Sequence, residues 1–313
     1  MDLIFGWSIK FWVKVHENHA YPVSLSEYGK LRKCSAKSDF LLCLKDLAEP
    51  CLTPPAGEVK IIDAAGYINI NKPYNSTTFG QYCSAEIPLK IQQHLAGLKR
   101  LDFVFDTYRP DSIKGQTREA RGDGIRIAVR NETPIATKFQ SFLRNNDNKT
   151  ELFKLLAVNI AEIPSNSVNI LATHLEEVLS NNPDVDVSAI QPCNHEEADT
   201  RLLLHALHAS NDGFSKLLIV TVDTDVVVLA IHHFWSLGLD ELWVEIGVGK
   251  NRRWHPIHIY ANALGKDICE ALVFWYAFTG CDSVSTFAGR GKKTAWSVWR
   301  KYPEATEVFK RFE

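Results

Sequence analysis

Apolar residues in this chain gather into short β-branched runs, and three of those runs stop at an aspartate. Val59 to Ile62 ends at Asp63, Leu101 to Phe105 at Asp106, and Leu217 to Val222 at Asp223. Each reads as a buried strand. Val168 to Leu171 gives another strand, with a helix expected from Thr173 and a polar turn around Pro183. Glu241 to Ile246 and Ile257 to Tyr260 add two shorter strands or strand fragments. The apolar spacing is helical over residues 84–98, from an N-cap at Asn194 to about Ala209, and over Ile268 to Phe278. Residues 116–162 look mostly helical, with breaks at Gly122, Gly124 and Pro134. Strands alternating with helices predict an α/β fold: a three-layer α/β/α domain whose mostly parallel sheet is covered on both faces.

Residues 1–56 have mixed polarity and a Pro-rich end (Pro50, Pro54, Pro55). They read as an N-terminal extension to a domain over 57–313, within which 279–300 form a helix-turn-helix-like element. No apolar run approaches the roughly 20 residues of a bilayer helix; the longest, 217–231, is interrupted by Asp223 and Asp225. A membrane partner is therefore not expected. With 45% hydrophobic and 23% charged residues the composition is that of a globular protein. A formal charge of −2 excludes a wholly basic coat protein but leaves room for basic patches. The seven cysteines form no C-x-x-C pair, so reduced thiols in an intracellular compartment are expected, and the Met-Asp start carries no signal-peptide pattern.

The placement of the acids points to chemistry. In an open α/β sheet, the carboxyl ends of the strands line the crevice where ligands bind. A single aspartate after a strand is ordinarily a turn former or helix cap, whereas three at equivalent positions line one edge with carboxylates. Asp223-Thr224-Asp225 adds a second acid two residues on, an unfavourable pairing at a buried strand end unless a cation intervenes. Oxygen donors without matched Cys or His favour Mg²⁺ or Mn²⁺ over zinc. Glu196, Glu197 and Asp199 open the next helix, where acids also complement the macrodipole. Spacing does not separate Glu196 from Glu197.

Asp282 follows the apolar helix 268–278 and precedes Gly289-Arg290-Gly291-Lys292-Lys293, whose glycines permit close approach of backbone to phosphate. Thr286 stands where a Walker A loop needs its first glycine, and Lys293 where it needs Ser or Thr, so a nucleoside triphosphatase is the weaker reading. Lys114, Arg118, Arg121, Arg126 and Arg130, against Glu119 and Asp123, give residues 114–130 a charge of +3. That stretch is either a solvated helix face or a phosphate clamp beside Asp106. His195, His205 and His208 lack a fourth zinc ligand and read as packing or surface residues. Trp296 and Trp299 read as packing residues. Trp254, beside Arg252 and Arg253, fits either an exposed loop or a nucleic-acid contact.

Taken in order, these residues resemble the flap-endonuclease group of structure-specific 5′ nucleases, within the PIN-like superfamily. The likeness runs from about residue 59 to 296, roughly three quarters of the chain. Val-Lys-Ile-Ile-Asp at 59–63 is similar to the family's first strand and first aspartate. Val-Phe-Asp at 104–106, with Lys114 and Arg121, is similar to its second aspartate and helical gateway. Glu197-Ala198-Asp199 resembles its acid-Ala-acid motif, which singles out Glu197, and Asp223-Thr224-Asp225 resembles its paired aspartates. Gly280-Cys281-Asp282, continuing to Lys293, resembles the last aspartate and the helix-turn-helix that grips duplex backbone. The chain also resembles uncharacterised animal proteins of this superfamily associated with mobile elements. About 58 residues precede the first strand and 31 follow Asp282, whereas the family starts near that strand and carries a longer C-terminal DNA-binding part.

The resemblance implies a metal-dependent nuclease acting on DNA, or on RNA, with two Mg²⁺ or Mn²⁺ ions. Asp63, Asp106, Glu197 and Asp199 would hold one ion, and Asp223, Asp225 and Asp282 the second. Lys114 and Arg121 would meet the scissile phosphate, while Arg118, Gly289, Arg290, Gly291, Lys292 and Lys293 would hold the nucleic-acid backbone. The alternative from a different class is a binding module that keeps fold and acids without turnover. A nucleotide-binding α/β protein is the third reading.

Overall fold

The computed structural model describes residues 24–34, 37–109 and 124–312. It begins with a hairpin of β1 (Ser26–Glu27) and β2 (Lys30–Leu31), followed by α1 (Asp39–Leu44). The sheet comprises β3 (Val59–Asp63), β4 (Arg100–Val104), β5 (Asn169–His174), β6 (Glu177–Ser180), β7 (Lys216–Thr221), β8 (Glu241–Ile246) and β9 (Arg253–Pro256). Their spatial order is β6-β5-β4-β3-β7-β8-β9. The five central strands run parallel, and β6 and β9 close the edges antiparallel. Counted along the chain, the parallel strands lie third, second, first, fourth, fifth. The order therefore reverses between β3 and β7, which opens a crevice at their carboxyl ends.

Side-chain alternation assigns the layers. Val59, Ile61, Leu217, Ile219, Leu242 and Val244 face one core. That core is covered by α1, α7 (Ala198–Asn211), α8 (Asp225–Leu237), α9 (Ile257–Leu264), α10 (Lys266–Phe278), α11 (Lys292–Lys301) and α12 (Ala305–Arg311). Ile62, Leu101, Phe103, Ile170 and Ala172 face the other. There the cover is α2 (Ala64–Ile70), α3 (Phe79–Gln81) and α4 (Ile87–Gln92) joined by a π turn, α5 (Phe139–Phe142) and α6 (Asn146–Ala161). The predicted three-layer α/β/α fold is the one observed. Among the described residues no helix is long and apolar enough to cross a membrane.

Several local expectations are corrected. The chain after Thr173 forms a β-hairpin rather than a helix: His174 pairs with Glu177, and Leu175 takes φ +57° at the turn. Leu175, Val178 and Leu179 carry helical spacing by coincidence. Residues 257–260 are helical, not extended, and bury Ile257, Tyr260, Ala261 and Leu264 at i, i+3, i+4, i+7. Residues 124–138, expected to be mostly helical, carry no helix. Within the expected extension, residues 39–51 belong to the body of the fold. Phe40 and Leu44 are fully buried, and Cys51 exchanges backbone hydrogen bonds with Trp254 at 2.9 and 3.2 Å.

Beneath β4 lies a buried charged network. Arg100 forks onto Asp102 (2.9 and 2.7 Å) and reaches Asp212 at 2.8 Å, while His205 Nδ1 sits 2.7 Å from Asp102 Oδ2. His208 closes the group, 2.7 Å from Arg100. Burial, opposed by Asp102, lowers the His205 pKa, so the ring is neutral with its Nδ1 hydrogen on Asp102. His205 and His208 are therefore buried packing residues, one of the two readings that the missing fourth zinc ligand left.

Candidate metal centre

Each strand-end acid is fixed by hydrogen bonds to its surroundings. Asp63 ends β3 and caps α2, its Oδ1 accepting the Gly66 amide at 3.1 Å and its Oδ2 the Thr221 hydroxyl at 3.3 Å. Asp106 stands just beyond β4. It accepts the Ala198 amide at 2.9 Å and the Tyr108 hydroxyl at 3.2 Å. The Thr107 amide also donates to the Glu196 carbonyl at 2.8 Å. These bonds dock the start of α7 on the end of β4. They delay the helix to Ala198, past the expected cap at Asn194. Glu197 is the N-cap, and its charge is felt at Asp106. Asp199 lies in the first turn of α7.

On the other side of the crevice, Asp223 links β7 to α8. Its amide donates to Thr221 Oγ1 (3.1 Å), and its Oδ1 accepts the Asp225 amide (3.0 Å). Asp225 opens α8 and accepts the Tyr276 hydroxyl at 2.9 Å. Asp282 arrives on the loop after α10, whose shape depends on Gly280. That residue has φ +102°, and a Cβ there would lie 2.6 Å from Thr286 Cα. One carboxylate oxygen each from Asp223, Asp225 and Asp282 falls within 4.8 Å of the other two.

Clustering has an electrostatic consequence. Burial, then the charge of Asp106, raises the Asp63 carboxyl to about 6, against the pull of its Gly66 and Thr221 hydrogen bonds. Burial likewise raises Asp106, with Glu197 adding to it. Burial and the charge of Asp223 raise Asp225, opposed by Lys37 and Tyr276. Carboxylates desolvated beside one another favour a bound cation, which removes both penalties.

A cation already stands in the triad. Lys37 Nζ lies 3.0 Å from Asp223 Oδ1, 3.4 Å from Asp225 Oδ2 and 3.2 Å from Asp282 Oδ2. Burial works against its charge, but Asp225, Asp223 and Asp282 hold it protonated well above the ordinary lysine range. Sequence reasoning missed Lys37, since nothing in Ala36-Lys37-Ser38 marks it. Charge balance was the available clue, because a hollow of acids calls for positive charge. Lys149 was missed as well: it lies 3.9 Å over the Tyr108 ring, and its charge reaches Asp106.

Other expected contacts fare unevenly. Lys114, Arg118 and Arg121 lie outside the described residues. Arg126 is bound to Glu151 and to Asn148 Oδ1 (3.0 Å), a structural tie. Gly289, Arg290, Gly291 and Lys293 are exposed around the start of α11. Lys292 is not available to a nucleic acid. It is 1% exposed, its ammonium held by the Tyr276 carbonyl and the Thr279 hydroxyl (2.8 Å), and burial lowers its pKa to about 8. Lys292 thus braces the turn that carries Asp282. Trp254 is also buried, with its indole N–H on Glu245 at 3.0 Å.

The raised Asp63 carboxyl gives a testable pH effect. Between the ordinary value of 3.8 and about 6, folded chains keep this proton and unfolded chains have lost it. Stability from this group therefore falls as pH rises through that window. A carboxyl titration by carbon NMR in metal-free buffer is expected to place the Asp63 midpoint near pH 6, moving down when Mg²⁺ is added. A midpoint near 4 in both conditions would show that Asp63 is a solvated cap and no more.

No protein-family model matches this chain, and no curated protein matches it either.

Proposed function

We propose that the chain is a metal-dependent phosphodiesterase of the PIN-like, structure-specific 5′ nuclease kind, acting on DNA or RNA. The observation that carries this reading is the meeting of Asp223, Asp225 and Asp282 at the carboxyl edge of one parallel sheet, where the strand order reverses, with Asp63 near enough to feel the charges of Asp106 and Asp223. The donor set fits the implied ions. It is all carboxylate oxygen, which suits Mg²⁺ or Mn²⁺, and its tightest part already encloses a positive charge. Asp223, Asp225 and Asp282 would hold one ion, and Asp63, Asp106, Glu197 and Asp199 the other. Bound there, such ions supply Lewis-acid polarisation of a phosphodiester and neutralise charge at the leaving oxygen.

The remaining residues would position the substrate. Lys149 brings positive charge beside Asp106, and Lys114 and Arg121 stay in the proposal as cations over the scissile phosphate. Gly289, Arg290, Gly291 and Lys293, exposed before and within the first turn of α11, suit contact with a nucleic-acid backbone without base reading. A second reading, a binding module without turnover, draws on Lys37, whose ammonium fills the triad an ion would need.

Incubation with end-labelled flap, nicked, duplex and single-stranded substrates in Mg²⁺ or Mn²⁺ decides between them. A nuclease cuts at least one of the substrates. Salt-sensitive retention of nucleic acid with no product at any metal concentration would leave the binding module instead.

A further inference from the structure

The segment before α1 touches the candidate centre at two places. At the first, Lys37 Nζ contacts carboxylates from three sources: the β7–α8 junction, the first residue of α8, and the loop after α10. Its contacts of 3.0–3.4 Å are longer than the roughly 2.1 Å Mg²⁺ requires, so the triad is spread around an ammonium. At the second place, the β1–β2 hairpin covers the loop leading to Gly289. The Ala288 amide donates to the Ser24 carbonyl (2.8 Å) and the Thr286 amide to the Arg32 carbonyl (3.0 Å). The Arg32 amide donates in turn to Ser285 Oγ (3.2 Å).

The position of Lys37 is set by packing. Phe40, three residues on, is fully buried against Trp275, Tyr276 and Trp296, with ring centroids 5.7–5.8 Å away. The Phe40 amide also donates to the Lys37 carbonyl at 3.2 Å. The hydrophobic anchor thus delivers the lysine to the acids. A monovalent ammonium neutralises three carboxylates less completely than a divalent ion. Unlike the ion, it is tethered and needs no recruitment from solution.

We infer that residues 24–34, 37 and 38 act as an intramolecular strap that keeps the centre closed, with Lys37 occupying the cation position until a divalent ion displaces it. Opening the strap would release the triad and uncover residues 285–288 together. This inference rests on the metal-site reading above and adds how that site is regulated.

The test is direct Mn²⁺ binding to the full chain, read from the loss of the free-ion electron paramagnetic resonance signal. Three proteins are compared: wild type, Lys37→Met and Asp223→Asn/Asp225→Asn, with Lys37→Gln as a second variant should methionine perturb folding. Lys37→Met is expected to bind Mn²⁺ about tenfold or more tightly than wild type, the scale on which a removed competing charge acts. The Asn variant is expected to lose that binding. In wild type, Mn²⁺ should also speed hydrogen exchange at the Thr286 and Ala288 amides. Equal affinity in wild type and Lys37→Met, with loss in the Asn variant, overturns the strap and leaves the metal site standing. Absence of Mn²⁺ binding to Lys37→Met and Lys37→Gln would overturn both.

Discussion

Replacing Asp223 and Asp225 together by asparagine is expected to abolish metal-dependent cleavage while leaving the protein folded. Both side chains sit in the triad, and asparagine keeps their size and an acceptor oxygen but removes the charge that holds an ion. Turnover should drop by about 10³-fold or more, the scale on which loss of an acting group lowers rate. Stability has two opposed contributions. Burial and the charge of Asp223 raise the Asp225 carboxyl, a repulsion that neutral amides relieve, whereas Lys37 loses two of the three carboxylates that hold its charge. Initial cleavage rates and thermal melts of the same preparations check both halves. Undiminished cleavage, with contaminating nuclease excluded, would separate the chemistry from these aspartates.

The largest loss of stability should come from a residue outside the centre. Asp102 is wholly buried and answers the Arg100 guanidinium while accepting from His205. Burial opposes its charge, yet Arg100 and His205 hold its pKa down at about 2. Asp102→Ala leaves a buried arginine without its main counter-charge, and breaking such a pair costs about 3–5 kcal/mol. For a chain of this size that is roughly a 5–8 °C fall in Tm. Arg100→Met with Asp102→Leu should cost less than Asp102→Ala alone, because no orphaned charge remains. Urea denaturation of the three proteins tests this. A single-variant cost below about 1 kcal/mol, the surface-pair scale, would mean that water reaches the network.

Much of the sheet could be read from the sequence, since parallel central strands are apolar on both faces and end abruptly at polar residues. Val59–Asp63 and Lys216–Thr221 show this pattern. What failed was local. The β5–β6 hairpin imitates a helix because three apolar residues fall at 175, 178 and 179, and its turn needs a positive φ at Leu175 that no glycine announced. Asp63, Asp106 and Asp223 were legible because each sits where a strand stops. Lys292 was misread because a lysine beside glycines looks like a phosphate ligand, whereas packing under Trp275 and Tyr276 turns it inward. Lys37 was illegible for a different reason. Its role arises from contacts across more than 180 positions of chain, which no local pattern encodes.

The most direct test of an acid-built cation site is anomalous diffraction from crystals of wild type and Lys37→Met grown with Mn²⁺. The expected result is anomalous density among Asp223, Asp225 and Asp282, with the Lys37 ammonium moved away in the wild type. Empty density at that position in both proteins, with the carboxylates unshifted, would contradict it.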